Sequence, residues 1–340
     1  MDRSPLTPSR VIKITILLAV ILVVVMVGAT LFGSARIGMM QGLKGLFSGL
    51  FGDLSILKPS EKTILFSIRL PRVIFAGLVG AALSSAGVVF QALLRNPLAE
   101  PYILGISGGA AVGAIISIVA ISSLPFCVPF LAFLGAIFTV VIVFVIGGTG
   151  KGLNSNTLLL AGVIINAFFS AIIMFLVSIS GSADLHTITF WLMGDLSMVS
   201  PGEIMLGGIF LVVGFFIVYT HARTLNMIVM GEETALQLGI NVERAKVTLF
   251  LASSVMTAVA VAFSGIIGFV GLIIPHIMRM LLGSDHRLLL PATFLFGASF
   301  LIIADTIART IVPYTELPVG VITAICGAPY FIYLLRRRAV

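Results

Sequence analysis

Apolar runs of near-membrane length, divided by short segments that hold most of the charges, recur along this chain from residue 12 to residue 335. Ten can be marked: 12–33, 70–94, 103–121, 128–149, 156–180, 201–221, 247–268, 269–283, 288–311 and 317–335. About 20 apolar residues, rising 1.5 Å each, cross roughly 30 Å of hydrocarbon. The pattern therefore predicts an all-α polytopic membrane protein with about ten transmembrane helices. The eighth run is short and flanked by glycine. The first could serve as a signal peptide, with Gly33-Ser34-Ala35 resembling a cleavage site. Its apolar length exceeds the usual signal core and favours a retained span.

Composition agrees. The chain is 59% hydrophobic and 10% charged, with mean hydropathy +1.21, against roughly 25% charged residues in soluble proteins. Lipid must be the solvent for most of its surface. A net charge of +7 fits basic loops on the cytoplasmic side better than a nucleic-acid partner. Cys127 and Cys326 are far apart in apolar runs, which suggests neither a disulfide framework nor a metal site.

Basic residues orient the bundle. Arg3, Arg10 and Lys13, then Arg95, Lys151, Arg223, Arg244, Lys246, Arg279, Arg287 and Arg336 to Arg338 fall on one side. That side is the cytoplasm by the positive-inside rule, with both termini there. The outer segment, about 34–66, and the start of the next run break the rule with Arg36, Lys44, Lys58, Lys62, Arg69 and Arg72. An internal echo joins the halves: Gly87, Pro97 and Gly105 recur as Gly265, Pro275 and Gly283 at an offset of 178 residues. Five spans separate the copies, so the echo predicts an inverted repeat, a common transporter plan.

The energy source is harder to find. "GGTGKGLNS", residues 147–155, imitates a phosphate loop but has Gly152 where magnesium needs Ser or Thr, and Val145 where the first glycine belongs. The chain is expected to hydrolyse no ATP. Ion coupling would want carboxylates at membrane depth. Asp305 is the main candidate, and Arg309 one turn later explains it as an i,i+4 pair. Asp195 and Glu203 fall near run ends, and the four histidines lack metal-pair spacing, with His276 read as structural. A motor on another chain remains. The cytoplasmic segment of about 222–246 contains "GEETALQLG", a short helix with acids in its first turn, from Gly231 to a stop at Gly239. Ala235 and Leu238 are expected on one face, suited to docking a cytoplasmic partner.

The stretch "FQALLRNPLAEPYILGISGG", residues 90–109, breaks the apolar pattern with charges, prolines and glycines. With its flanks from Arg69 to Gly113 it resembles the signature of the FecCD family. "LLLAGV" (158–163), "WLMGDL" (191–196), "GFVGLIIPHIMRMLLGSDHRLLLP" (268–291) and "ELPVGVITAICGAPYFIYLL" (316–335) extend the resemblance from about residue 60 onward. It implies a permease subunit of a binding-protein-dependent ABC importer for a ferric siderophore, haem or cobalamin. Ten helices over 1–340 would form one permease domain in the inner membrane. Its expected partners are a second copy of itself or a related permease, a cytoplasmic ATPase dimer, an extracytoplasmic binding protein and lipid. No cofactor, metal or nucleic acid is expected.

By the same resemblance, Asn96 and Leu98 belong to a cytoplasmic gate, and Asn154, Ser155 and Asn156 to a second constriction. Arg69, Arg72 and Arg309 would face carboxylates of the binding protein, for which a planar guanidinium is suited. Gly231, Ala235, Leu238 and Gly239 would form the helix coupling to the ATPase. The alternative is an ion-coupled carrier working as a single chain, which would bind no ATPase.

Overall fold

The structure is a computed structural model describing residues 7–33, 35, 37–50, 56–120, 126–149, 152–197, 200–312 and 315–338. Arg3, Arg36 and Lys151, used above for orientation, lie outside the described residues. Helices dominate. In chain order they are α1 (Pro8–Leu31), α2 (Met39–Leu50), α3 (Pro59–Lys62), α4 (Leu70–Leu93), α5 (Ile106–Ala120), α6 (Cys127–Gly147) and α7 (Ser155–Ile179). Then come α8 (Ser182–Leu192), α9 (Pro201–Thr220), α10 (Ala222–Met230), α11 (Glu232–Gln237), α12 (Val242–Ser264), α13 (Val270–Leu282), α14 (His286–Ala308) and α15 (Val319–Arg338). Among the described residues, seven helical segments are long and apolar enough to cross a membrane, and α5, α13 and α15 are shorter apolar helices. Each predicted apolar run contains one of these.

Two boundaries differ from the sequence expectation. The second run continues backward through a π-helical stretch, Thr63–Arg69, to Pro59. The outer segment 34–66 is not simply a loop, because α2 lies in it. Met39, Met40, Leu43 and Phe47 give α2 an exposed apolar face while Gly42 and Gly45 are buried. Its many glycines masked that helical spacing.

α4 is the centre of the bundle: the most apolar window of the 59–93 segment is 89% buried, against 11% for α1 and 22% for α7 and α9. It packs on α14, α12, α13 and α9, while α5 packs on α6 and α7. Small residues set these approaches. A Cβ on Gly109 of α5 would meet the Gly135 carbonyl of α6, and one on Gly80 of α4 would meet the Gly297 carbonyl of α14. Without a hydrophobic force between helices in lipid, close backbone packing must hold them together.

The 178-residue echo joins unlike local structures at two of its three pairs. Gly87 is mid-helix in α4 against Gly271, whereas Gly265 ends α12 at φ 68°. Pro97 lies in the irregular segment after α4, and Pro275 is inside α13. Gly105 and Gly283, by contrast, both end a helix with positive φ, 76° and 95°. Gly148–Thr149 pairs antiparallel with Gly152–Leu153, and Asn154 then caps α7.

Candidate functional site

Charged and irregular residues gather at the two ends of α4. At the Arg72 end, three guanidiniums meet two carboxylates. Arg72 grips Asp305 with Nε and Nη2, 3.0 and 2.9 Å from Oδ1, and its Nη1 lies 2.6 Å from Glu316 Oε2. Arg309 lies 3.7 Å from Asp305, the predicted i,i+4 pair, and also donates to the Ala29 carbonyl. Arg69 donates to the carbonyls of Thr30 at 3.3 Å, Leu31 at 2.9 Å and Ala35 at 2.5 Å.

The three arginines do not stand outward as free groups. Arg69 is 3% exposed and Arg309 6%. The physical reason is the end of α1: the last turn of a helix leaves carbonyls without intrahelical donors, and these two guanidiniums supply them. These bonds tie the end of α1 to the start of α4 and to α14, against which α1 also packs. Arg72 alone reaches a surface group, since the Glu316 side chain is 52% exposed.

At the Arg95 end, α4 stops where Arg95 takes a left-handed φ of 47°. Asn96 Oδ1 then accepts the Leu98 N–H at 2.9 Å, an Asx turn that Pro97 favours. Leu98 is exposed, and the chain turns inward to Glu100, which is buried. Glu100 Oε1 accepts the Phe269 N–H at 2.6 Å. Phe269 has φ 69°, so the break after α4 and the break between α12 and α13 are fastened together. Gln91 assists, its Nε2 donating to the Gly271 and Leu272 carbonyls at 3.4 and 3.3 Å, while Arg279 donates to its Oε1 at 3.0 Å. Glu100 and Gln91 had no assigned role in the sequence reading. The signal was Gln91 within an apolar run and Glu100 in the break that follows it.

The second predicted constriction adjoins the first. Asn154 Oδ1 accepts from the Asn156 and Thr157 N–H groups at 3.0 and 3.1 Å, capping α7. Ser155 Oγ donates to the Leu93 carbonyl at 2.9 Å. The structure thus brings the two segments into contact at one end of the bundle. Asn156 is exposed and makes no part of that link.

The predicted coupling helix is present but turned otherwise than expected. α11 spans Glu232–Gln237 between Gly231 at φ 145° and Gly239 at φ 82°. Ala235 is sealed among Ile228, Val242 and Ala245, whereas Leu238 is 60% exposed. The i,i+3 rule fails because the helix ends at Gln237, and Leu238 has ψ 8°. Leu236, also exposed, is the apolar neighbour the sequence reading missed. Nearby, Asn226 of α10 donates to Asp285 at 2.9 Å and accepts the His286 N–H at 2.9 Å, clasping α10 to the start of α14. Asp285 also takes Arg287, which with these bonds holds its carboxyl down at about 2.

Comparison with known proteins decides the family. The FecCD transport family model matches residues 16–337. The chain belongs to the FecCD transport family. It is 43% identical over 295 residues to the uncharacterized ABC transporter permease protein YvrB of Bacillus subtilis, covering 85% of this chain and 83% of that one. It is 42% identical over 283 residues to the hemin transport system permease protein HmuU of Yersinia pestis, covering 81% and 84%. A solved metal-chelate type ABC transporter in an inward-facing conformation superposes with TM-score 0.81 at 31% identity, covering 96% of this chain and 99% of that one. As a FecCD member, the chain is a membrane-spanning permease subunit of an ABC importer. The single-chain ion carrier is thereby set aside.

Proposed function

We propose that this FecCD permease carries a metal chelate, a ferric siderophore, haem or cobalamin, across a prokaryotic plasma membrane by ATP-driven alternating access. Its relatives include a hemin permease and the cobalamin import system permease protein BtuC of Halobacterium salinarum, the latter 43% identical over 281 residues, 83% of this chain and 75% of that one. The Arg95 end faces the cytoplasm with both termini, and an ATPase dimer seats against α11 through Leu236 and Leu238. Two copies, or this chain and a related permease, pair around a central path. The whole chain acts as one permease domain, with 222–246 as its coupling segment.

One observation carries the gate assignment: Ser155 bonds the Leu93 carbonyl, joining the segment of Asn96 and Leu98 to that of Asn154, Ser155 and Asn156 beside α11. α7 rises from this point with Leu160, Ile164 and Phe168 exposed at 64, 67 and 63% along one face, suited to a second copy. At the outer end, Arg72 is the docking group for binding-protein carboxylates, with Arg69 and Arg309 as its supports.

The test is cysteine crosslinking at Asn96 or Leu98 in the assembled transporter, with and without nucleotide. Crosslinks between the two copies are expected in at least one nucleotide state. None in any state would remove these residues from the central path. Uptake of labelled ferric siderophore, haem and cobalamin into proteoliposomes then identifies the cargo.

A further inference from the structure

Beside the gate segments, polar contacts close into a ring. Glu232, the first residue of α11, sets Oε1 3.1 Å from Lys246 Nζ and 3.7 Å from Arg95 Nη2. Lys246 Nζ also donates to the Leu153 carbonyl at 2.7 Å. Just beyond Leu153, Ser155 Oγ bonds the Leu93 carbonyl at 2.9 Å, and Leu93 returns the path to Arg95. Arg95 Nη2 additionally donates to the Ile228 carbonyl of α10 at 3.1 Å. The ring therefore passes from α11 to α12, to the segment before α7, to the end of α4, and back.

Lys246 is the informative member. It is 5% exposed, and a buried ammonium is costly unless paired and hydrogen-bonded. It follows the first turn of α12, Val242–Ala245. Neither helix formation nor packing calls for lysine there. What lysine does is span from the coupling helix to the backbone next to Asn154. Arg95 has the matching place on the other side. Its left-handed φ of 47° is disfavoured for a side-chain-bearing residue, and its guanidinium holds it to α10 and Glu232. Lys246 and Arg95 thus share one carboxylate, that of Glu232.

We propose that Glu232 and Lys246 are positioning residues for transport, carrying displacement of the coupling helix to both gate segments at once. This deepens the coupling and gate assignments made above and depends on them. When the ATPase shifts α11, Glu232 draws Lys246 and Arg95 with it. Lys246 moves the Leu153 carbonyl beside Asn154, and Arg95 moves the start of the Asn96–Leu98 turn. The Ser155–Leu93 bond keeps the two in step.

The experiment uses the permease assembled with its ATPase in lipid, with Cys127 and Cys326 replaced by serine. Leu98→Cys and Asn156→Cys serve as separate reporters of maleimide labelling, with and without ATP and vanadate. The parent is expected to change its labelling rate several-fold with nucleotide at both reporters. Glu232→Gln should abolish that change at both while the ATPase still co-purifies. Lys246→Met leaves the Leu153 carbonyl without its donor, so the double variant Glu232→Gln/Lys246→Met is compared once its melting curve shows that it folds. Members of one ring should be non-additive, so the double should match Glu232→Gln. A parental response in Glu232→Gln, loss at one reporter only, or loss of the bound ATPase would each overturn the relay. No nucleotide response in the parent would instead remove the gate assignment, and no ATPase on the parent the coupling assignment, each taking the relay with it.

Discussion

Glu100 and Phe269, far apart in sequence, share a 2.6 Å hydrogen bond that fastens the break after α4 to the break before α13. The carboxylate is buried and accepts an N–H from the start of a helix, where backbone donors lack partners. Both segments are irregular, so neither supplies that bond from its own backbone.

Replacing Glu100 by alanine is therefore expected to lower stability by about 1–3 kcal/mol, the usual cost of an orphaned buried group. Glu100→Gln keeps a carbonyl acceptor and should lose less. Thermal unfolding of both variants in detergent checks the order. If glutamine costs as much as alanine, geometry alone does not explain the contact.

Leu236→Asp and Leu238→Asp should each prevent the ATPase from co-purifying while leaving the permease melting curve unchanged, because both side chains are exposed. Ala235→Asp should act differently. It forces a carboxylate among Ile228, Val242 and Ala245, and burying an unpaired charge destabilises the fold itself. An Ala235→Asp protein of normal stability that lost only its ATPase would return Ala235 to the docking face.

These cases mark how far the sequence could be read. Apolar run length located every long helix, because a span's length is fixed by the membrane and its composition by lipid. The break around Pro97 was legible because charges and prolines interrupt the pattern there, whereas the break at Gly265 was not, since the run 247–268 passes through it. Side-chain direction was not legible. Arg69 and Arg309 were expected to face outward, yet they donate to carbonyls at the end of α1, 38 and 39 residues from Arg69 and 280 from Arg309, and Arg69 also to Ala35 just beyond it. Nothing in local pattern signals a donor for another helix's end. Ala235 and Leu238 were expected on one face, yet Ala235 is buried and Leu238, the residue at which α11 ends, is exposed.

Asp285 gives a pH prediction. Its carboxyl is held at about 2, below the ordinary value near 4. A depressed folded value means its stabilisation is fully present above about 4 and is lost as pH falls through about 2. The melting difference between the native protein and Asp285→Asn should therefore stay constant from about pH 9 to pH 5 and shrink only below about 4. A difference that changed near neutrality would show that Asp285 is not the titrating group.

Arg72 supplies the last prediction, since it is held from two sides that differ in burial. Asp305 is 1% exposed, while the Glu316 side chain is 52% exposed. Breaking a buried pair by removing one partner costs about 3–5 kcal/mol, so Arg72→Ala should destabilise strongly. The double variant Arg72→Ala/Asp305→Ala should lose less than the two single losses added, because the orphaned charge is gone. Glu316 is different. If binding-protein carboxylates compete with it for Arg72 Nη1, then Glu316→Gln should tighten docking rather than weaken it. An exposed pair is worth about 1 kcal/mol or less, which sets the gain at about five-fold or below. The gain should fade with salt, as screening removes the attraction on which it depends. Binding-protein affinity for native and Glu316→Gln transporter, measured at two ionic strengths, decides the matter. Equal or weaker affinity at low salt would leave Arg72 a structural clasp for Asp305 and place docking elsewhere on that end.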